Sequence, residues 1–206
     1  KLNNMSRALA DMGTDVLPNI GCAIIGLAEV ENSKALDDLV AQPALSARNY
    51  QYVHIEGPDR RGIDCALLYN PSLFSVMNTR LVPYVQKLKK DSAFYTRGFL
   101  TVSGTLADEN VAVIVCHLPS RFSESFYREL GAEQVKAIKD SLLNDDPNCK
   151  VFVMGDMNDD PIDKSMASVL KGKGNIKDVN EGDMYNPWYN ILVKEGVGTL
   201  LYQGSW

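Results

Sequence analysis

The sequence predicts an α/β fold in which two packed β-sheets carry helices on their outer faces. Three short apolar runs predict strands: Cys22–Val30, which reads as covered on both faces, Val111–Cys116, and the buried run Val151–Met154. A long segment, Ser125–Leu143, places apolar residues at helical spacing. Because tight turns and helical crossovers both connect the strands, the pattern favours two packed sheets with outer helices.

The other elements are predicted from capping residues and turns. Asn32 or Ser33 is placed to cap one helix and Pro161 to begin another, while Gly57–Gly62 and Asp108–Asn110 are rich in turn residues. The further predicted elements are helices over Leu2–Met12, Ser33–Leu39 and Pro161–Leu170, and strands over Tyr50–Ile55, Ile63–Tyr69, Phe74–Tyr84, Phe99–Val102 and Thr199–Tyr202.

Length and composition predict one globular domain over residues 1–206. The chain has 21 basic and 26 acidic side chains, a net charge of −5, and 45% hydrophobic residues. No apolar run reaches the ~18–20 residues that a membrane-spanning helix needs. The acidic balance argues against a protein that grips nucleic acid through bulk positive charge, but it leaves room for a local basic rim around a metal-dependent phosphate site.

The four cysteines are widely spaced, and three of them lie in apolar, strand-like runs. A free thiol in such a run behaves as a small hydrophobic side chain. The spacing therefore favours free thiols over a disulfide framework or a zinc site.

Three apolar strands end at side chains that can bind a metal ion or transfer a proton: Glu29, His117 and Asp156. Functional sites concentrate where strands end on a rigid sheet. Glu29 closes a run that should be buried, so it needs a cation or hydrogen-bond donors, and a simple salt bridge is the alternative. His117 is either catalytic or structural, with Arg121 close by in the chain. His54 lies in mid-strand, and the sequence assigns it no role.

Asp156 and Asn158 are two residues apart, so in an extended segment their side chains share one face. Oxygen ligands of this kind suit Mg²⁺ or Mn²⁺ better than zinc. An Asx turn before Pro161 explains the same residues without a metal.

Arginines form a second set of candidate residues. Arg60, Arg61 and Arg97 are candidates for contacts with phosphate, which guanidinium groups bind well. Taken alone, each of them is interpreted as a solvated surface charge. Asp59 and Asp64 are placed to neutralise the arginines of the turn.

Taken together, these segments resemble the endonuclease/exonuclease/phosphatase superfamily, the metal-dependent phosphodiesterases related to DNase I. The resemblance covers residues from about 20 to 165 and rests on the order of five motifs, of which Gly-Asp-x-Asn is the most specific. The motifs are Gly-Leu-Ala-Glu-Val-Glu-Asn (26–32), Arg-Arg-Gly-Ile-Asp-Cys-Ala-Leu-Leu-Tyr-Asn (60–70), Thr-Arg-Gly-Phe-Leu (96–100), His-Leu-Pro-Ser-Arg (117–121) and Gly-Asp-Met-Asn-Asp-Asp-Pro (155–161).

The resemblance implies a four-layer α/β/β/α sandwich with the site at one end of the two sheets. It implies that Glu29 is a ligand of Mg²⁺ (or Mn²⁺) and that Asp156 orients or deprotonates the attacking nucleophile. Asn158 would help to hold the phosphate or the metal, and His117 would bind or protonate near the scissile phosphate. The physical logic fits, because phosphoryl transfer depends on positioning and charge neutralisation.

The expected substrate contacts are arginines. The resemblance places Arg97 at a position that contacts substrate phosphate, and Arg121 in the loop that lines the site. Arg61 is a further expected substrate contact because of its place in the turn Gly57–Gly62.

The sequence departs from the family pattern at both ends. The family begins with a strand that ends in a metal-binding Asn, and it finishes with an Asp-His pair on a final strand. This sequence starts within the helix that follows the first of these strands, and it stops at Trp206, where the last one should begin. The interpretation is a fragment that lacks an inner strand at each end, exposes sheet edges and is catalytically impaired as it stands.

The favoured function is a Mg²⁺-dependent phosphodiester hydrolase of the nuclease type that acts on a phosphate ester, with DNA or RNA as possible substrates. A phospholipid or small-molecule phosphatase of the same superfamily is the first alternative. A non-catalytic interaction module with a vestigial metal site is the second, and an unrelated α/β protein is the third. Compartment and oligomeric state stay open.

Overall fold

The computed structural model describes residues 1–85 and 96–199, and the chain forms two compact units. The first unit comprises residues 1–117 and 142–156, and the second comprises residues 118–141 and the described residues from 157 onward. The predicted last strand, Thr199–Tyr202, extends outside the described residues. Within the described part of the chain, no helix is long and apolar enough to cross a membrane.

The helices and strands of the first unit lie at the predicted places, except for a short helix over Pro43–Ser46 that was not predicted. Its elements are α1 (Leu2–Asp11), β1 (Ile24–Val30), α2 (Ser33–Val40), α3 (Pro43–Ser46), β2 (Gln51–His54), β3 (Asp64–Tyr69), β4 (Phe74–Val82), β5 (Phe99–Leu106), β6 (Glu109–His117) and β7 (Lys150–Asp156). Of the two predicted N-cap residues, Asn32 is the cap, because its side chain accepts a hydrogen bond from the backbone N–H of Ala35 at 2.9 Å.

Two sheets form the centre of the first unit. The three-stranded sheet has the order β1-β3-β2 and is antiparallel throughout. The four-stranded sheet has the order β4-β5-β6-β7, in which β6 and β7 are parallel. The strands β2 and β3, which flank the predicted turn Gly57–Gly62, therefore form an antiparallel hairpin.

The side chains of β3 show how this unit is layered, because successive residues of a strand face opposite sides of the sheet. Leu68 belongs to the same apolar cluster as Leu36 and Leu45 of helices α2 and α3. Leu67 belongs to the cluster that includes Val102 and Val113 of the second sheet. The unit thus stacks helices, a sheet and a second sheet.

Two details of the first unit differ from the predictions. The run Val151–Met154 predicts a buried strand, but β7 lies at the edge of its sheet and the side chain of Phe152 is 48% exposed. The turn predicted at Asp108–Asn110 lies one residue earlier. There, Ala107 and Asp108 both have positive φ, at 51° and 62°, and close the hairpin of β5 and β6.

The second unit contains less regular structure. Its elements are the first part of α4 (Ser125–Asp145), a π-helical turn (Ser165–Val169), β8 (Gly172–Lys173), a 3₁₀ turn (Ile176–Asp178), β9 (Met184–Tyr185), α5 (Pro187–Asn190) and a second π-helical turn (Ile191–Glu195). The helix predicted over Pro161–Leu170 is shorter than expected. Its first residues form a turn in which Asp163 accepts the backbone N–H of Asp160 at 2.7 Å.

Candidate active site

The parallel pairing of β6 and β7 brings His117 and Asp156 side by side. In this register His117 is opposite Asp156, and the His117 Nε2 lies 3.8 Å from the Asp156 Oδ2. The imidazole is 5% exposed and the carboxylate 53% exposed. A buried histidine therefore contacts a carboxylate that is open to solvent at the end of two neighbouring strands.

Gly155 permits this close approach of the two strands. Its φ is +133°, and a Cβ at this position would stand 1.9 Å from the carbonyl oxygen of Cys116. A side chain would therefore force the strands apart immediately before Asp156.

Glu29 sits on a β-bulge at the end of β1. The register against β3 shifts between Leu27 and Val30, so that Ala28 and Glu29 together face one residue of the partner strand. Glu29 has φ +60°, a conformation that is rare for a residue with a side chain and that turns it away from the sheet. The expectation that Glu29 is buried is wrong: its side chain is 62% exposed.

The turn before β3 carries two further charged groups towards Glu29. An Arg61 guanidinium nitrogen lies 3.8 Å from the Glu29 Oε1, and its Nε lies 3.5 Å from the Asp59 Oδ1. Asp59 also pairs with Arg97 at 3.3 Å, and the side chains of Asp59 and Arg97 are 5% and 8% exposed. The reading of Arg97 as a solvated surface charge is therefore wrong.

Burial and four neighbouring charged groups shift the pKa of His117. Burial lowers its pKa, the positive charge of Arg97 lowers it further, and Asp156 and Glu29 raise it by smaller amounts. Arg61 adds a small lowering. We call Glu29, Arg61, Arg97, His117 and Asp156 the His117 cluster.

The buried Nδ1 of His117 finds no hydrogen-bond partner among the residues that the structure describes. Buried polar atoms without a partner are rare in folded proteins, and those that occur often belong to functional sites. The ring is thus held in place by packing and by its strand, with its Nε2 edge towards Asp156.

Asn158 and Arg121 belong to the second unit. Asn158 has φ +52°, and its side chain donates a hydrogen bond to the carbonyl of Leu118 at 2.9 Å. Arg121 forms ion pairs with Asp160 and Asp163, both at 2.9 Å, and these carboxylates raise the pKa of its guanidinium. Arg121 therefore has a structural role within its own loop, and a contact with substrate stays a prediction.

The donor groups can be compared with the needs of Mg²⁺. Over residues 1–85 and 96–199, no group of three or more His, Cys, Asp or Glu side chains is arranged to hold a metal ion. Mg²⁺ does not need such a group, because it keeps several waters and binds one or two carboxylates together with substrate phosphates. The exposed carboxylate of Glu29 fits an open site of this type, with Arg61 as a competing cation.

Sequence reasoning missed His54 and misplaced Asp64. The two side chains form a buried pair, with the His54 Nε2 3.1 Å from the Asp64 Oδ2. Asp64 consequently does not neutralise the arginines of the turn, whereas Asp59 does. The polar residue in mid-strand was the available signal, because a buried polar side chain needs a partner.

Comparison with protein families decides the affiliation of the chain. A family model described as "Endonuclease/Exonuclease/phosphatase family" matches residues 1–206. The chain belongs to this family. No curated protein sequence matches this family member significantly.

Solved structures with the same fold have low sequence identity to this family member. The human Nocturnin catalytic domain with bound sulfate has a TM-score of 0.63 and 18% identity, and the match covers 98% of this chain and 70% of that one. ANGEL2, a 2',3'-cyclic phosphatase, in complex with adenosine-2',3'-vanadate has a TM-score of 0.63 and 15% identity, with 82% and 47% covered. D. rerio TDP2 complexed with single strand DNA product has a TM-score of 0.55 and 17% identity, with 82% and 58% covered.

The likeness confirms the predicted DNase I-like α/β sandwich. At these identities it shows the fold alone. The chain spans about half of the length of several of these structures, including 56% of truncated C. elegans TDP2.

Proposed function

We propose that this family member is a Mg²⁺-dependent phosphodiester hydrolase of the nuclease type. The observation that carries the proposal is the buried imidazole of His117, which lies beside the exposed carboxylate of Asp156 under the field of Arg97. Phosphoryl transfer requires little covalent chemistry from the protein, and it depends on positioned cations and proton-transfer groups.

Each residue of the His117 cluster has a role in this proposal. Arg97, held in a buried position by Asp59, offers charge-assisted hydrogen bonds to a phosphate oxygen. His117 is neutral near pH 7 because its pKa is lowered, so that it can donate one hydrogen bond to the phosphate and transfer a proton. Asp156 is accessible to solvent and orients or deprotonates the attacking water.

Glu29 would hold the metal ion, since it presents an exposed carboxylate on the bulge at the end of β1. When bound, Mg²⁺ (or Mn²⁺) supplies positive charge that stabilises the negative charge developing on the phosphoryl group. Arg61 has to leave Glu29 for this and would then be available for phosphate. That Asn158 holds phosphate or metal stays a prediction of the family pattern.

DNA or RNA is the favoured substrate class. Among the structures with this fold, D. rerio TDP2 is bound to a single strand DNA product and ANGEL2 to adenosine-2',3'-vanadate. Both ligands contain nucleoside units, which supports a phosphate ester of nucleic acid over a phospholipid.

A plasmid-nicking assay tests the proposal. The protein is incubated with supercoiled DNA and Mg²⁺ or Mn²⁺, with EDTA as a control, and a nucleoside 2',3'-cyclic phosphate serves as a small diester. We expect metal-dependent hydrolysis that Asp156→Asn and Glu29→Gln reduce by at least about 100-fold. Glu31→Gln, the matched control at an exposed neighbouring carboxylate, should have little effect.

The outcomes separate the alternatives. Hydrolysis of the cyclic phosphate without nicking would move the substrate class to small diesters. Nicking that persists in EDTA or in Asp156→Asn would contradict the proposed site. Absence of hydrolysis on both substrates would favour the non-catalytic reading.

A further inference from the structure

A buried histidine–aspartate pair lies in the first unit, outside the His117 cluster. The side chains of His54 and Asp64 are 2% and 8% exposed and meet at 3.1 Å. The second Asp64 oxygen, Oδ1, accepts the backbone N–H of Gly57 at 2.9 Å. On its other edge, the His54 Nδ1 lies 3.2 Å from the Ser33 Oγ.

The proton positions follow from the inventory of donors and acceptors. A carboxylate only accepts hydrogen bonds, so the His54 Nε2 carries the proton that is shared with Asp64. In the neutral ring, Nδ1 then accepts from the hydroxyl of Ser33. The pair is thus satisfied on both sides.

These partners belong to the two segments that carry Glu29 and Arg61. The backbone of Asp64 pairs with Val30, the residue that follows Glu29 in the bulge. Gly57 opens the turn 57–62, which contains Arg61. A single buried pair is therefore connected to the bulge of Glu29 and to the turn that places Arg61 3.8 Å from it.

The approach of the turn to Asp64 is close. A Cβ on Gly57 would stand 2.9 Å from the Asp64 Oδ1, so a side chain there would displace this oxygen or the turn. A buried polar pair is weak evidence for a gain in stability, because well-packed apolar residues often serve as well. The use of both Asp64 oxygens, one of them on a turn without regular structure, indicates a different role.

We propose that His54 and Asp64 are positioning residues that fix the turn 57–62 and the bulge, and thereby the relative placement of Arg61 and Glu29. Neither residue touches the substrate. The effect on catalysis rests on the proposed phosphodiester hydrolysis, whereas the effect on the turn does not.

Residue-resolved hydrogen exchange of the intact chain tests the structural part. In Asp64→Ala we expect the Gly57 amide to exchange at least about tenfold faster, with the change confined to the turn 57–62 and the bulge. The matched control is Asp146→Ala. Asp146 likewise accepts a backbone N–H, from Asn148, and a side-chain donor, from Asn110, at the other end of β6.

Two results would overturn the positioning role. One is unchanged exchange at Gly57, and the other is a uniform rise across the first unit, which indicates a general loss of stability. If Asp64→Ala does not fold, Asp64→Asn replaces it. The amide oxygen can keep the bond to Gly57 while its NH₂ faces His54, so we expect Gly57 to stay protected and the proton of His54 to move to Nδ1, as read from its ¹⁵N shifts. Loss of protection at Gly57 in this variant without a change in the ring would contradict the proposal.

Kinetics test the catalytic part. Asp64→Ala should lower kcat/KM by about 10- to 100-fold, the range seen when groups behind metal or catalytic ligands are removed. In an Arg61→Ala background, Asp64→Ala should lower kcat/KM by less than about threefold, because both substitutions act through the placement of Arg61. Full additivity would contradict the proposal. A wild-type chain without hydrolysis would instead refute the proposed function and leave the exchange result to decide the positioning role.

Discussion

Replacement of Gly155 by alanine should damage the His117 cluster through the backbone alone. The new Cβ would lie 1.9 Å from the carbonyl oxygen of Cys116 in the neighbouring strand, and the φ of +133° is one that side chains rarely adopt. The strained backbone costs about 1–3 kcal/mol. The substitution would also separate β6 from β7 and break one or two backbone hydrogen bonds between them, each worth about 1 kcal/mol.

The total is a loss of about 2–5 kcal/mol from a free energy of unfolding that is typically about 5–15 kcal/mol. Gly155→Ala should therefore fold but unfold at markedly lower urea concentration. Because His117 pairs with Asp156 directly after this position, hydrolysis should fall by more than the folded fraction explains.

Gly196→Ala is the matched control for this experiment. Gly196 also has a positive φ, +65°, but a Cβ there would meet nothing within 4 Å, so its cost should be about 1 kcal/mol. Urea unfolding followed by circular dichroism measures both variants. Equal destabilisation of the two, or full activity of Gly155→Ala, would refute the reasoning.

Three further predictions concern titration and reactivity. Arg97→Met should raise the pKa of His117, because Arg97 lowers it, and an NMR titration of the ring in which the pKa stays or falls would contradict this. Folding lowers the pKa of His117 below 6.5, so that, as the pH falls, the unfolded chain binds this proton at a higher pH than the folded protein does. The free energy of unfolding should therefore decrease as the pH falls below 6.5. His117→Asn should remove that part of the drop, and identical urea midpoints against pH for both proteins would argue against it. Burial raises the pKa of Cys65 to about 12, so a thiol reagent should modify it at least about 100-fold more slowly in the folded protein than in urea, and rapid labelling would show that the thiol is accessible.

The sequence predicted most strands and helices because their apolar patterns are local. The edge position of β7 was not predictable, because the run Val151–Met154 looks the same whether it has one neighbouring strand or two. The position of a strand in its sheet depends on pairing between distant segments. The short strands β8 and β9 have no apolar pattern of their own and were missed for the same reason.

The sequence predicted candidate residues for the site but not their arrangement, and the roles of these residues stay predictions. The sequence identified Glu29, His117 and Asp156 as residues at the ends of apolar strands. In the structure, the carboxylates of Glu29 and Asp156 are close enough to the imidazole of His117 to raise its pKa. The bulge that exposes Glu29 depends on the register of two strands, which no local pattern encodes. The burial of Arg97 depends on Asp59, which lies 38 positions earlier in the chain.

The central claim is that His117 and Asp156 act as parts of one hydrolytic site. Metal-dependent nicking rates of His117→Gln, Asp156→Asn and the double variant test it most directly. Groups that act as a unit show strongly non-additive effects, so the double variant should be no slower than the slower single variant, within about threefold. Single variants as fast as wild type, or a double variant slower by the product of the two single losses, would contradict the claim.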